Sequence, residues 1–340
     1  MKLHLTSAYR SHSCLDALLD LARLDTSDQH QLTSCPDAAD AIVFVENTQF
    51  NDLGFSQLLR HALVRKHPDK VFMYNEMDRS WPILPGVYCS LKKGFSKQKT
   101  HVAFPYLTTC NSSIENIHSL NVKPHLLYSF VGSMSHPVRK PLPRLARDNA
   151  VIADTSEFCT WDPAQTSKYS FQKLYSDTMA QSQFILCPRG IGPASLRLFE
   201  SMEAARVPVI ISDDWVEPPQ VDWSFAVRVA ESDIEQIPGI LANLDNEWQD
   251  RSTAARSEWE KNYSPSQMFN TLGNAIESVQ DSARITDKSL QFSLHKWQVL
   301  AGQFFRNIIR PSATPTGRSI TSPRASKCAT HINNGLSRKI

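Results

Sequence analysis

The chain has 340 residues, which is enough for two domains with separate hydrophobic cores. Its composition, 41% hydrophobic and 21% charged, is that of a globular protein. A formal net charge of +2, without a basic surface interleaved with aromatic residues, argues against a nucleic-acid partner.

The seven cysteines are scattered, odd in number and contain no CxxC pair. This pattern fits reduced thiols better than a disulfide framework, and it lacks zinc-ligand spacing. No stretch approaches the ~20 apolar residues of a membrane span, and the first residues lack a signal-peptide core. We therefore expect a cytoplasmic protein with no integral membrane segment.

Strand and helix patterns alternate through residues 1–122, which we assign to a first domain. Strands are expected at 2–6, 41–45 and 71–74, and helices at 15–24 and 55–64. Such alternation predicts a parallel sheet covered by helices. Residues 79–121 are rich in Pro, Ser and Lys and give no clear pattern.

A second domain is assigned to residues 123–283. Short apolar runs predict strands at 127–131, 151–153, 184–187, 207–211 and 225–229. Helices are expected at 167–180, after the corner at 188–193, and once or twice within 248–279. Residues 232–235 read as a capping box that opens a further helix.

The C-terminal segment divides into two parts. Residues 284–310 carry an apolar stripe at helical spacing, which predicts a helix that packs back on the first domain or docks elsewhere. Residues 311–340 hold five basic groups and no acid, so we expect a disordered basic tail. Peripheral contact with an anionic membrane surface and simple solvation are the two alternatives for this tail.

The corner between the strand at 184–187 and the following helix favours an anion. Gly190 and Gly192 allow backbone amides to approach a ligand closely. Pro193 suits the first turn of a helix, whose unpaired N–H groups bind phosphate well. Arg189 in the corner is a donor for charge-assisted hydrogen bonds. The corner does not match the dinucleotide-binding fingerprint, because the third glycine is missing. It does not match a P-loop either, because the Lys-Ser/Thr pair is missing.

Two side chains of the following helix extend this hypothesis. Arg197 is a second phosphate donor, and Glu200, three residues later, shares its helix face and can accept hydrogen bonds from ribose hydroxyls. Local chemistry alone leaves open the alternative that the corner binds no ligand. Gly-x-Gly corners are common, and Arg197 with Glu200 fits a surface ion pair equally well.

The run FILCPRGIGPASLRLFESMEAARVPVIISDDWVEP (184–218) closely resembles the exostosin-like glycosyltransferases, glycosyltransferase family 47. The segment LLYSFVGSMSHPVR (126–139) resembles a second recurrent segment of that family. The resemblance implies an α/β fold of GT-B type, with two Rossmann-like domains whose parallel sheets face each other across a cleft. It further implies a hexosyl- or pentosyltransferase that transfers sugar with inversion from a UDP-sugar, bound mainly by the second domain, to a saccharide or other hydroxyl acceptor.

The resemblance assigns the donor site residue by residue. The nucleotide-sugar contacts it implies are Arg189, Gly190, Gly192, Ser195, Arg197, Glu200, Asp213, Gly132, Ser133 and Arg139. Glu203 is a weaker ribose candidate, and Trp215 fits either a stacking or a core role. The alternative for the segment at 132–139 is that its glycine ends a strand and its arginine is solvated. Asp213 and Asp214 are adjacent rather than spaced as Asp-x-Asp, so we expect neither a metal nor another cofactor.

Of all the site residues, the one that acts as general base is the hardest to identify from the sequence. Glu76 and Asp78 follow the strand at 71–74 and lie at the carboxyl edge of the first sheet, and His136 is a third candidate. A non-catalytic carbohydrate- or nucleotide-binding relative is the competing interpretation. A NAD-linked oxidoreductase is disfavoured by the incomplete glycine signature.

Overall fold

The computed structural model describes residues 1–9, 13–47, 52, 55–78, 80, 82–95, 100–107, 111–120, 122–157 and 168–280. The helix expected at 284–310 and the basic tail at 311–340 lie outside the described residues. The helices and strands below are numbered in chain order within the described part.

The first half forms a six-stranded sheet in which every pair of neighbouring strands is parallel. Its elements are β1 (Lys2–Thr6), α1 (Ser13–Leu24), β2 (Gln31–Leu32), β3 (Ala41–Glu46), α2 (Ser56–Leu59), α3 (Ala62–Lys66), β4 (Val71–Asn75), β5 (Gly86–Tyr88) and β6 (His101–Ala103). The strand order is β2-β1-β3-β4-β5-β6. Strands β3 and β4 are buried along their whole length, as expected for parallel strands covered on both faces.

The first half departs from the sequence prediction at two places. The single helix expected at 55–64 is two short helices, because the side chain of His61 accepts a hydrogen bond from Leu63 N and starts a new helix there. Strands β2, β5 and β6 were not predicted, and all three are only two or three residues long. Gly86 opens β5 with φ +144°, and a Cβ at this position would lie 2.7 Å from Met73 N. Only glycine therefore fits where β5 meets β4.

The second half forms a five-stranded parallel sheet in the order β11-β10-β9-β7-β8. Its elements are β7 (Leu126–Gly132), β8 (Ala150–Asp154), α4 (Lys168–Ala180), β9 (Ser182–Pro188), α5 (Leu196–Glu203), β10 (Val207–Ile211), β11 (Val227–Arg228), α6 (Ile237–Asn243), α7 (Trp248–Asn262) and α8 (Met268–Gln280). Each sheet has the order of a doubly wound fold, in which the connections reverse direction beside the first strand. The predicted fold class, two parallel α/β sheets of GT-B type, is confirmed.

Three details of the second half differ from the prediction. Helix α5 begins at Leu196 with Ser195 at the N-cap, so Pro193 precedes the helix instead of lying in its first turn. The strand expected at 225–229 shrinks to β11, because residues 223–225 form a 3₁₀ turn. The capping box at 232–235 does not form, since a 3₁₀ helix already starts at Glu231 and the hydroxyl of Ser232 contacts Asp233.

The last described helix, α8, returns to the first half. It packs against α1, β5 and β6, although the sequence assigned its residues to the second domain. At its centre the ring of His30 lies against Gly273, and His30 Nε2 is 2.9 Å from Asn274 Oδ1. Among the described residues, α8 is thus a C-terminal helix that packs on the first half, and the similar prediction for residues 284–310 stays a prediction.

We expect Gly273→Ala to destabilise the protein. A Cβ at this position would lie 2.7 Å from His30 Nε2, with two ring carbons closer still. Overpacking costs about 1–3 kcal/mol, which exceeds the ~1 kcal/mol that alanine gains over glycine in a helix. Gly239→Ala in α6 is the matched control, because a Cβ there meets nothing within 4 Å and should not lower the melting temperature. Equal melting temperatures for the two variants would contradict the packing described here.

Candidate active site

The carboxyl ends of β7 and β9 form the centre of the candidate site. These strands are neighbours, and the chain connections diverge between them. Open α/β sheets bind ligands outside the carboxyl ends of their strands at such a point. Gly132 ends β7, and Arg189 directly follows β9. The structure thus brings together the two segments that the sequence analysis selected separately.

Arg189 lies at this edge with a guanidinium that is nearly buried and poorly paired. Its side chain is 12% exposed, and its buried Nε has no hydrogen-bond partner in the part of the chain that the structure describes. The carboxylate of Glu231 approaches Arg189 Nη1 only to 3.6 Å, which is too long for a good hydrogen bond. Burying a charge with so few partners costs free energy, so folding holds this side chain in an unfavourable state.

The guanidinium of Arg197 lies at the end of β7. Its Nη2 donates to Val131 O at 2.7 Å, and no described residue pairs with its buried Nε. The guanidinium lies over the ring of Phe130, 4.6 Å from the centroid, and near the ring of Tyr175 at 5.6 Å. A Cβ on Gly132 would come within 2.5 Å of Arg197 Nη2, so the glycine makes room for the guanidinium.

Glu200, three residues after Arg197 in α5, is buried. Tyr175 donates its hydroxyl hydrogen to Glu200 Oε2, and burial raises the pKa of Glu200 above its ordinary value. The surface ion pair left open by the sequence is therefore not the arrangement found. Glu203 is partly buried, which raises its pKa to about 7, and its carbonyl oxygen accepts a hydrogen bond from Arg256.

Arg139 is buried and forms hydrogen bonds with three backbone carbonyl oxygens. Its guanidinium donates to the carbonyl oxygens of Pro188 at 3.0 Å, Arg189 at 2.9 Å and Ser133 at 3.0 Å. Burial, with repulsion from Arg197 second, lowers its pKa to about 9. It is not solvated, and its hydrogen bonds tie the ends of β7 and β9 together.

The glycines of the corner are in close contact with other parts of the chain. A Cβ on Gly190 would lie 3.2 Å from a guanidinium nitrogen of Arg139. A Cβ on Gly192 would lie 2.5 Å from Asp78 O and closer still to Ser90 Oγ, both in the first half. Ser195 is buried and makes no side-chain capping hydrogen bond. The loop from 189 to 192 is therefore pressed against the carboxyl edge of the first sheet.

The candidate bases differ in position. Asp78 is exposed beside the corner, and Tyr106 donates its hydroxyl hydrogen to Asp78 Oδ1 at 3.2 Å, while Tyr106 itself contacts Ser90 Oγ at 2.6 Å. Glu76 is buried, and its carboxylate accepts from Leu107 N and from the thiol of Cys14. Glu76 thus faces the core, whereas Asp78 lies beside the corner at Gly192.

His136 also belongs to this region. Its Nδ1 accepts a hydrogen bond from Val138 N at 3.3 Å. Partial burial lowers its pKa, and the charge of Arg189 lowers it further. Trp215 is buried against Trp223 with ring centroids 5.2 Å apart, which is the core role considered for it.

Sequence reasoning missed three polar groups at this edge. Ser212 follows β10, and its buried Oγ makes no hydrogen bond to any residue that the structure describes. Glu231 follows β11 and exchanges hydrogen bonds with Asp213: Glu231 N donates to Asp213 Oδ1, and Asp213 N donates to Glu231 Oε1, both at 3.1 Å. Tyr175 orients Glu200. The position of Ser212 directly after a predicted parallel strand was the one available signal.

Backbone pairing joins the site to the first half. Lys93 N donates to Asp214 O at 3.0 Å, and Lys93 Nζ donates to Asp213 O at 2.7 Å. Lys92 and Trp215 form an antiparallel bridge. Among the described residues, no group of three or more His, Cys, Asp or Glu side chains is placed to hold a metal ion. In the same part of the chain, no helix is long and apolar enough to cross a membrane.

The chain is similar in sequence to a family model and to proteins of animals and plants. The "Exostosin GT47 domain" family model matches residues 59–244, which is more than half of the chain. "Exostosin-1 homolog" of Caenorhabditis elegans is 30% identical over 138 residues, covering 40% of this chain and 31% of that protein. "Probable glucuronosyltransferase GUT1" of Oryza sativa subsp. japonica is 40% identical over 78 residues, covering 22% of this chain and 19% of that protein.

Among solved structures, TarM superposes with a TM-score of 0.40 at 9% identity, covering 79% of this chain and 59% of that chain. The aligned segments span about a fifth to a third of the length of the curated relatives. The match of the family model includes both the corner at 188–193 and the segment at 126–139. The chain belongs to the exostosin family of glycosyltransferase family 47.

Proposed function

We propose that this protein is an inverting glycosyltransferase, which transfers a sugar from a UDP-sugar to a hydroxyl of a saccharide acceptor without a metal ion. One observation carries the proposal. Three buried side-chain atoms find no hydrogen-bond partner among the described residues and belong to side chains at the carboxyl edge of one sheet: Arg189 Nε, Arg197 Nε and Ser212 Oγ. Buried polar groups are nearly always paired, so such a set supports a ligand that supplies the missing acceptors.

A diphosphate is the ligand that fits these atoms best. Its oxygens accept hydrogen bonds only, and both arginines are donors only. The amides near Gly190 and Gly192 and the start of α5 beyond Ser195 add positive potential to the same corner. Arg139 serves this site indirectly, because it fixes the carbonyls of Pro188, Arg189 and Ser133.

The ribose belongs on the side of Glu200. Its Oε2 is taken by Tyr175, and the carboxylate lies one helical turn from Arg197. A carboxylate held in this way accepts hydrogen bonds from a diol. The glucuronosyltransferase name of the Oryza sativa relative is consistent with a nucleotide-sugar donor for this chain.

The chemistry requires stabilisation of the leaving diphosphate and removal of a proton from the acceptor. Preorganised donors aimed at the developing charge are usually the largest contribution, and Arg189 and Arg197 supply them here. This arrangement takes the place of a divalent cation in the proposal. Asp78 is the better candidate base, because it lies exposed beside Gly192 while Glu76 points into the core.

A thermal-shift panel of nucleotides tests the donor class. UDP at about 100 times its Kd should stabilise the folded protein by about 2.7 kcal/mol, and ADP, GDP and NAD at the same concentration should stabilise it less. Equal shifts for all nucleotides would contradict a uridine donor. The alternative, a non-catalytic carbohydrate- or nucleotide-binding relative, is favoured if UDP binds but the Asp78→Asn variant and the wild type release UDP from UDP-sugars at the same negligible rate.

A further inference from the structure

We propose that Tyr106, supported by Ser90, is a positioning residue that holds the carboxylate of Asp78 in place for removal of the acceptor proton. The inference rests on the proposed function, in which Asp78 is the candidate base. Asp78 is exposed and lies on the segment that follows β4. A base must lie within hydrogen-bond reach of the proton that it removes, so an exposed carboxylate needs a group that fixes its orientation.

Two hydroxyl groups and one carboxylate form a chain of hydrogen bonds at the carboxyl edge of the first sheet. Tyr106 donates its hydroxyl hydrogen to Asp78 Oδ1 at 3.2 Å, and Ser90 Oγ lies 2.6 Å from the hydroxyl oxygen of Tyr106. A tyrosine hydroxyl has a single hydrogen, so the hydrogen between Ser90 and Tyr106 belongs to Ser90. The chain therefore runs in one direction, from Ser90 through Tyr106 to Asp78, and each donor polarises the next.

Both hydroxyl groups are held by packed parts of the first half. Ser90 is fully buried and lies two residues after the end of β5. The side chain of Tyr106 packs against the hydrophobic core to which β4 and β5 contribute. A donor that is already fixed loses little conformational freedom when it binds a carboxylate, so Tyr106 can hold Asp78 in one orientation.

The chain of hydrogen bonds ends beside the donor corner. A Cβ on Gly192 would lie 2.5 Å from Asp78 O and 3.0 Å from Ser90 Cβ. The charge of Asp78 also acts on Arg139, because it opposes the lowering of the Arg139 pKa that burial and Arg197 cause. The carboxylate is therefore close both to the corner and to a guanidinium of the second half, where a base for the acceptor hydroxyl is needed.

The hydrogen bond from Tyr106 favours the ionised form of Asp78, so its loss should make this carboxylate easier to protonate. The described titratable groups whose pKa responds to the carboxylate are Tyr106, Cys89 and Arg139. Burial raises the pKa of Tyr106 and of Cys89, so both are neutral while Asp78 titrates, and Arg139 remains charged there. Tyr106 thus stays a hydrogen-bond donor over the whole range.

A pH titration of the full chain, followed by nuclear magnetic resonance of isotope-labelled aspartate carboxyl carbons, tests the inference without a ligand. The Asp78 signal is identified by its loss in Asp78→Asn. In Tyr106→Phe its midpoint should move about 0.5–1 pH unit higher, which corresponds to a hydrogen bond of ordinary strength. Ser90→Ala should move the midpoint in the same direction by a smaller amount, and it replaces Tyr106→Phe if that variant folds poorly.

Tyr88→Phe is the matched control. Its hydroxyl also donates to an oxygen of the first half, Leu84 O at 2.6 Å, but makes no printed contact with the chain from Ser90 to Asp78. The control should leave the Asp78 midpoint unchanged, so a general loss of packing is separated from an effect on the carboxylate.

Release of UDP from UDP-glucose, UDP-xylose and UDP-glucuronate, with water as the acceptor, gives a second readout. For each donor that the wild type cleaves, Tyr106→Phe should lower kcat about ten-fold and leave KM unchanged, because a positioning residue acts only on the proton transfer. Tyr88→Phe should keep both quantities.

Unchanged midpoints in both Tyr106→Phe and Ser90→Ala would overturn the inference, and so would wild-type kcat in Tyr106→Phe or in Asp78→Asn. A wild-type protein that binds UDP but releases none from the three donors would favour the non-catalytic alternative and would remove the role in proton transfer, even if the midpoints moved. Absence of UDP binding by the wild type would contradict the donor site separately, because the titration of Asp78 needs no ligand.

Discussion

Replacing Arg189 with glutamine should weaken UDP binding by about 10- to 150-fold. A hydrogen bond to a charged group contributes about 1.5–3 kcal/mol, which corresponds to this range of affinity. The same variant should be at least as stable as the wild type without ligand, because it removes a nearly buried guanidinium whose Nε has no partner. Affinity comes from calorimetry with UDP, and stability from the melting temperature of the free protein.

Arg139→Gln is the informative comparison. This variant loses three hydrogen bonds to backbone carbonyls and leaves them buried, so its melting temperature should fall without any ligand. Arg144 is an exposed arginine in the same half, and Arg144→Gln should change neither the melting temperature nor the affinity for UDP. If Arg189→Gln lost stability as Arg139→Gln does and kept its affinity for UDP, Arg189 would be a structural residue.

Gly192→Ala should both destabilise the protein and impair the donor site. The added methyl would lie 2.5 Å from the carbonyl oxygen of Asp78 and closer to Ser90 Oγ, so the corner and the carboxyl edge of the first sheet must separate. Overpacking of this kind costs about 1–3 kcal/mol. Because the displaced loop carries Arg189, UDP affinity should fall together with the melting temperature.

Two further variants isolate this contact. Gly94→Ala is the control, since a Cβ at Gly94 meets nothing within 4 Å. Ser90→Gly removes one of the two obstructing groups and should recover part of the stability lost in Gly192→Ala. A Gly192→Ala protein with wild-type melting temperature and wild-type UDP affinity would show that the two halves do not meet at this residue.

The sequence predicted those parts of the fold that depend on local patterns. Strands β3, β7, β9 and β10 are apolar runs of five to seven residues, and their burial on both faces leaves a clear signal. Strands β2, β5 and β6 are too short for any periodicity, and β5 depends on the unusual backbone of Gly86. Pro193 misled the prediction because its fixed φ suits a helix start, while the corner continues as far as Ser195 before α5 begins.

The candidate site could be predicted from the sequence only in part, and the reason differs from the one that applies to the strands. Residues of a single motif, such as Arg189 and Arg197, can be recognised from their spacing. The structural role of Arg139 could not be predicted, because two of its three carbonyl partners are 49 and 50 residues away. Glu231 was missed for the same reason: its relation to Arg189 and Asp213 exists only after β9, β10 and β11 have paired. Tertiary contacts of this kind have no signature in one sequence.

The central claim is that Arg189 is kept nearly buried and poorly paired in order to bind the diphosphate of a donor. A crystal structure of the protein with UDP tests it most directly. The account predicts a phosphate oxygen about 3 Å from the guanidinium of Arg189, with the ribose toward Glu200. UDP bound elsewhere, or bound at this edge with no phosphate oxygen in hydrogen-bond contact with Arg189, would contradict the account.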